Sequence, residues 1–261
     1  MKINILMNKY KVTIIITVFI FTASNIFAQG KYEDFSFWSW IQLDKKIFNN
    51  QYIGFQYQSR FNNNASTFDR SNLYFNYRIK LNRYFATELL YQLNTNKIAD
   101  QHTFYFGATY KYTASQRLSF QFRTAVQQNR NYFTGDYATD NPYNEWRNRI
   151  RGVFKLNQYY SVAASAEPYL MFKATRPVYL SRMRYVAQFI INYNKFQNLT
   201  LFYLIQPDYI TFSKPKTNYV LGVAYSISIP NSKKNFKKLF KSTLFKSNEE
   251  ESNQYNIESI N

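Results

Sequence analysis

Leu73-Tyr74-Phe75-Asn76-Tyr77-Arg78-Ile79-Lys80-Leu81 sets large apolar residues at every second position, with polar or charged residues among those between. Successive side chains of an extended strand point to opposite faces, so the stretch describes a strand with one greasy face and one wet face. The same period of two marks eleven strand candidates: 35–43, 51–61, 70–81, 84–93, 102–112, 117–128, 143–156, 159–172, 179–192, 199–209 and 218–229. They run to nine to fourteen residues each. That is long for globular strands and suited to tilted strands crossing a bilayer. The connections alternate in kind. Tight turns at 82–83, 113–116 and 157–158, with slightly longer links at 44–50 and 193–198, alternate with larger loops at 62–69, 94–101, 129–142, 173–178 and 210–217. Short turns on one side and long loops on the other describe an up-and-down barrel.

The chain opens on what reads as an export leader. Lys2, Lys9 and Lys11 precede an apolar core at 12–21, and Ile26-Phe27-Ala28 places Ala28 before a cleavage point at Gln29. A core of about ten residues is shorter than the ~20 that a membrane helix needs. Residues 1–28 are therefore expected to be a cleaved signal peptide, 29–230 a single outer-membrane barrel, and 231–261 a periplasmic tail. That tail is basic first (Lys233, Lys234, Lys237, Lys238, Lys241, Lys246) and acidic later (Glu249, Glu250, Glu251). Phe236, Leu239, Phe240 and Leu244 allow a short amphipathic helix there, beside the alternative of a solvated tail.

Composition narrows the classes. The absence of Cys excludes disulfides, thiolate metal sites and a Cys nucleophile. The 25 Tyr and 25 Phe suit strands whose rings face lipid and its wet boundary. The formal net charge is +18, and loss of the three leader lysines takes it to +15. Basic proteins often meet nucleic acid. Here the arginines are spread along exported strands, which argues against that partner. The expected partners are outer-membrane lipid and lipopolysaccharide, the barrel-assembly machinery and small anionic solutes. No cofactor is implied.

Parity sorts the residues by face. Ile53, Phe55, Tyr57, Leu73, Phe75, Leu89, Phe104, Phe106, Trp146, Ile150 and Tyr185 fall on the lipid side with almost no charge among them. A Lys or Arg facing mid-depth lipid costs about 2–4 kcal/mol, so this segregation favours a membrane barrel. The opposite parity carries Arg60, Arg78, Glu88, Arg123, Glu145, Arg147, Arg149, Arg151, Glu167, Arg182 and Arg184. The densest run is Glu145-Trp146-Arg147-Asn148-Arg149-Ile150-Arg151, four inward charges on one strand. Two readings stand side by side. Glu88, Glu145 and Glu167 can tie the arginines into a bracing network, because unpaired buried charge is costly. The excess of arginine can also form an anion-attracting constriction.

An enzymatic barrel would need His102, the one histidine, beside a serine, and no Gly-x-Ser-x-Gly elbow lies near it. Asp136 and Asp140 in the longest loop offer at most a weak calcium site. That loop, 130–141, with Tyr132, Phe133 and Tyr137, is the place for a docked partner in a binding barrel.

Several passages carry a resemblance to a known family. They are Phe37-Trp38-Ser39-Trp40 with Leu43-Asp44-Lys45-Lys46, Gln58-Ser59-Arg60-Phe61-Asn62-Asn63-Asn64 with Phe68-Asp69-Arg70, and Tyr143-Asn144-Glu145-Trp146-Arg147-Asn148-Arg149. Tyr77-Arg78-Ile79-Lys80-Leu81 and Val220-Leu221-Gly222-Val223-Ala224-Tyr225 add to them. Over 35–229 the chain resembles the domain of unknown function 2490 family (DUF2490), outer-membrane barrels of Bacteroidota. The resemblance implies an outer-membrane barrel and carries no activity with it; the basic and acidic tail departs from the family pattern.

The expectation is an all-β, single antiparallel up-and-down transmembrane barrel of ten to twelve strands. Its function is expected to be a narrow passive channel for small anionic solutes or a structural barrel, not an enzyme. A lipid-modifying barrel and a loop-mediated binding barrel are the alternatives. One point stays open at this level. Single-chain bacterial barrels usually have an even strand count, and eleven is odd. With the short turns in the periplasm, the first and last strands would run the same way. Either a strand has been merged or missed, or the N-terminal segment passes back through the barrel.

Overall fold

A computed structural model describes residues 33–96, 100–132, 143–173, 176–209 and 216–231. The expected leader, the loop positions Phe133, Asp136, Tyr137 and Asp140, and the tail beyond 231 lie outside the described residues. The chain is all-β. Its strands are β1 (Glu33–Phe48), β2 (Gln51–Asn62), β3 (Thr67–Lys80), β4 (Phe85–Asn96), β5 (Asp100–Thr113) and β6 (Leu118–Tyr132). They continue as β7 (Tyr143–Lys155), β8 (Tyr160–Lys173), β9 (Arg176–Asn194), β10 (Gln197–Asp208) and β11 (Lys216–Ile229). Each strand pairs with the next in antiparallel register, and β1 meets β11 to close the barrel.

The closing pair is parallel. It runs from Glu33↔Thr217 to Lys45↔Ile229 without a register shift. An odd number of up-and-down strands brings the first and last into the same direction, so a parallel seam is what closure of eleven strands requires. Among the described residues no strand was merged or missed. The expectation of antiparallel pairing throughout is corrected at this one seam.

The strands run further than the hydrophobic alternation does. β1 continues through Lys45 and Lys46 to Phe48, leaving a two-residue turn at 49–50 instead of a seven-residue link. The connection after β2 is four residues, 63–66, where a longer loop was expected. Backbone pairing at the rim continues after the side chains turn polar, because a charged side chain in water does not disturb the ladder. Asn50 (φ 66°) holds the left-handed position of the first turn. Three successive left-handed residues, Asn63, Asn64 and Ala65, turn β2 into β3. Several short turns share a local device. Asn82 Oδ1 accepts from the backbone N–H of Tyr84 and Phe85, both at 2.8 Å. Asn157 and Ser115 do the same in their turns.

The barrel sorts its faces as the alternation requires. Phe75, Leu89, Phe106 and Ile150 stand on the outer wall, each more than half exposed. Inside, the seam carries a small apolar core of Phe202, Leu204 and Val220, packed against Trp38, Trp40 and Val186. Gly222 permits this packing. It lies opposite both Trp38 and Phe202, and a Cβ there would sit 2.6 Å from the Trp38 carbonyl oxygen and against the Phe202 ring.

Candidate functional site

The wall of β5 to β9 presents its inward residues to a lumen cavity of about 620 Å³. Eight arginines and two glutamates line it. Glu167, on β8, is 3 % exposed. Its Oε1 accepts from Arg123 Nη2 at 2.5 Å and from Arg147 Nη2 at 3.0 Å. The Tyr169 hydroxyl donates to its Oε2 at 3.4 Å. Glu145, on β7, is 1 % exposed and accepts from Arg182 Nη2 at 3.3 Å and the Ser181 hydroxyl at 3.0 Å. Gln127 joins the two nodes. Its Nε2 donates to Glu145 Oε2 at 2.6 Å while its Oε1 accepts from Arg147 Nη1 at 2.9 Å. The result is one continuous network from Arg182 to Arg123 across β6 to β9. Charge-assisted bonds of this kind are roughly twice as strong as neutral ones, and both carboxylates are nearly saturated by them.

Aromatic faces hold the same guanidinium groups flat. Arg147 lies 4.4 Å from the Tyr169 ring centre, and Arg182 and Arg184 each lie 5.1 Å from it. On the seam side Arg60 stacks 4.0 Å over Trp38 and donates twice to Gln58 Oε1. Arg184 makes a matching pair of bonds to Gln206 Oε1 at 3.1 and 2.8 Å.

Arg70 pairs with Asp69 at 2.7 Å, and the remaining two arginines are different. Among the described residues Arg151 is held by Gln188 alone, at 2.7 Å. Arg149 makes no hydrogen bond or ion pair among the described residues, and its Nε is buried and unsatisfied. It stands directly opposite Arg123 across the β6–β7 ladder. Like charges facing each other on one sheet face repel, and Glu167 is already committed to Arg123 and Arg147.

Arg78 and Glu88 take another place. They face each other across β3 and β4 below the cavity, and no ion pair joins them. Arg78 instead lies 5.1 Å from the Tyr52 ring. Glu88, expected to orient arginines, makes no ion pair among the described residues, and the glutamates that reach guanidinium groups there are Glu145 on β7 and Glu167 on β8. His102 lies on the outward face, where its Nδ1 is 2.6 Å from the Tyr91 hydroxyl. Parity alone did not single out Gln127, Gln188, Gln206, Tyr105 and Tyr169. Each has the inward parity of the arginines, but its contact depends on register between strands distant in sequence. Trp38 and Trp40 were harder still, because both faces of that stretch carry aromatic residues.

No family model matches the sequence, and no curated protein does. The fold is similar to the NanC porin, at 13 % identity over 63 % of this chain and 78 % of that chain, with a TM-score of 0.44. It is also similar to a bacterial polysaccharide outer membrane secretin, at 9 % identity over 68 % of this chain and 64 % of that chain, with a TM-score of 0.47. Both likenesses are of fold.

Proposed function

We propose that the protein is an outer-membrane β-barrel that passes small anionic solutes through a narrow, arginine-lined lumen. One observation carries this reading: Glu145 and Glu167 are ion-paired to Arg123, Arg147 and Arg182, while Arg149 and Arg151 line the cavity with no ion pair of their own among the described residues. A lumen with fixed positive charge on low-dielectric walls concentrates anions and repels cations. The two sequence readings of the arginines then apply to different residues. Arg123, Arg147 and Arg182 brace the wall through Glu145 and Glu167. Arg149 and Arg151 set the potential that a solute meets.

Export through a 1–28 leader and insertion among outer-membrane lipid and lipopolysaccharide by the barrel-assembly machinery belong to this proposal. So does kinship with the DUF2490 barrels, which rests on the residues quoted above. The test is the reversal potential of the refolded protein in a planar bilayer under a potassium chloride gradient. Anion selectivity is expected, and Arg149→Gln with Arg151→Gln should move the reversal potential towards zero. Unchanged selectivity in that variant would refute the assignment. A silent bilayer from protein whose gel mobility shows it folded would leave a structural barrel, which the continuous Glu–Arg network favours as the second reading.

A further inference from the structure

The two ends of the barrel carry charge differently. The five short turns and their flanking strand ends (45–52, 79–85, 110–118, 154–160 and 192–197) contain no Asp or Glu. They expose a ring of basic side chains instead. Lys46, Lys80, Lys111 and Lys155 hold inward register on β1, β3, β5 and β7 and are exposed at the rim. Arg83, Arg117 and Lys195 add to them from the turns. Lys80 is fixed at the mouth by the Tyr52 hydroxyl, 3.1 Å from its Nζ, and by the Tyr52 ring. The nearest acids, Asp44 and Glu88, face the lumen further in, and Asp44 accepts from Gln42 at 2.6 Å.

Among the described residues the opposite end is mixed and partly self-paired. Asp69 meets Arg70 at 2.7 Å and Asp34 meets Lys216 at 3.8 Å, with Asp100 and Asp208 nearby in sequence order on that rim. A second sorting shows what the basic ring faces. At the short-turn level the outward positions are Phe85, Tyr112, Phe154 and Tyr193, all exposed. Aromatic rings of this kind sit at the lipid boundary. The charge at this end therefore surrounds the aqueous mouth, and the rings meet the lipid. Along β7 the inward positions Arg151 and Lys155 are about 13 Å apart at 3.3 Å per residue, so mouth and lumen are separate clusters.

We infer that the short-turn mouth is an anion-collecting vestibule, distinct from the lumen arginines, that takes soluble polyvalent oxyanions and makes passage through the barrel depend on direction. The binding stands on the rim alone; the directional part rests on the channel reading. Tripolyphosphate is a suitable probe. Titrated calorimetrically into the protein in zwitterionic micelles at low salt, it should bind. Its affinity should fall at least tenfold in the Lys46→Gln, Lys80→Gln, Lys111→Gln, Lys155→Gln variant and change less than twofold in Arg149→Gln. No binding, binding that survives the fourfold variant, or loss through Arg149→Gln alone would overturn the assignment. In planar bilayers at 0.1 M salt the current should be asymmetric in voltage. It should become linear at 1 M, where the screening length shrinks from about 10 Å to about 3 Å. Because the chain has no Cys, a Ser115→Cys variant reports which chamber faces the ring, and tripolyphosphate should act from that chamber only. Tripolyphosphate binding with a silent bilayer would defeat the channel reading and leave the vestibule standing. A conducting barrel with linear current at 0.1 M and no binding would do the reverse.

Discussion

Glu167 serves two arginines through one oxygen, so its removal is felt twice. Glu167→Gln leaves Arg123 and Arg147 buried without their carboxylate. Breaking a buried pair from one side costs about 3–5 kcal/mol. Urea unfolding of the barrel in lipid should register that loss; a change below 1 kcal/mol would show that the network does not brace the wall. Ala65 offers the opposite experiment. It holds φ 60° as the third left-handed residue of its turn, where a Cβ is penalised. Ala65→Gly should raise stability by about 1 kcal/mol in the same assay, and a fall would mean that the turn is held for another reason. Which residues point inward was legible from parity alone. Which of them touch was not: Gln127 meets Glu145 only because register places them directly opposite on β6 and β7. Two sequences with identical alternation and a two-residue slip would pair different groups.

Among the elements, the β1–β11 seam depends on a residue with no side chain. A methyl group at Gly222 would press on the Phe202 ring and the Trp38 backbone, so Gly222→Ala should lower the temperature at which the barrel loses its folded gel mobility. Gly152 supplies the comparison, since a Cβ there meets Phe120 at an ordinary 3.6 Å and Gly152→Ala should be silent. Equal effects would show that the seam is not tightly packed. The eleven strands themselves were readable, because each has its own alternating stretch. Their ends were not, because Lys45 and Lys46 continue the ladder of β1 without contributing to the hydrophobic pattern. The odd count already contained the parallel seam, yet a pairing between strands nearly two hundred residues apart leaves no local trace in either one.

At the scale of the molecule, the outer wall is defined by what it lacks. Ile150 stands near the middle of β7 with 58 % exposure on the outer face, one residue from the inward Arg149 and Arg151. Ile150→Arg should therefore cost about 2–4 kcal/mol of folding free energy in liposomes. A neutral result would mean that this wall does not meet acyl chains. The same parallel seam has a topographic consequence. β1 starts, and β11 ends, at opposite rims, so the described strands make one net passage from rim to rim despite their many passes. An epitope grafted beside Glu33 and another beside Ile229 would face different compartments, and antibodies applied to intact cells would stain one and miss the other.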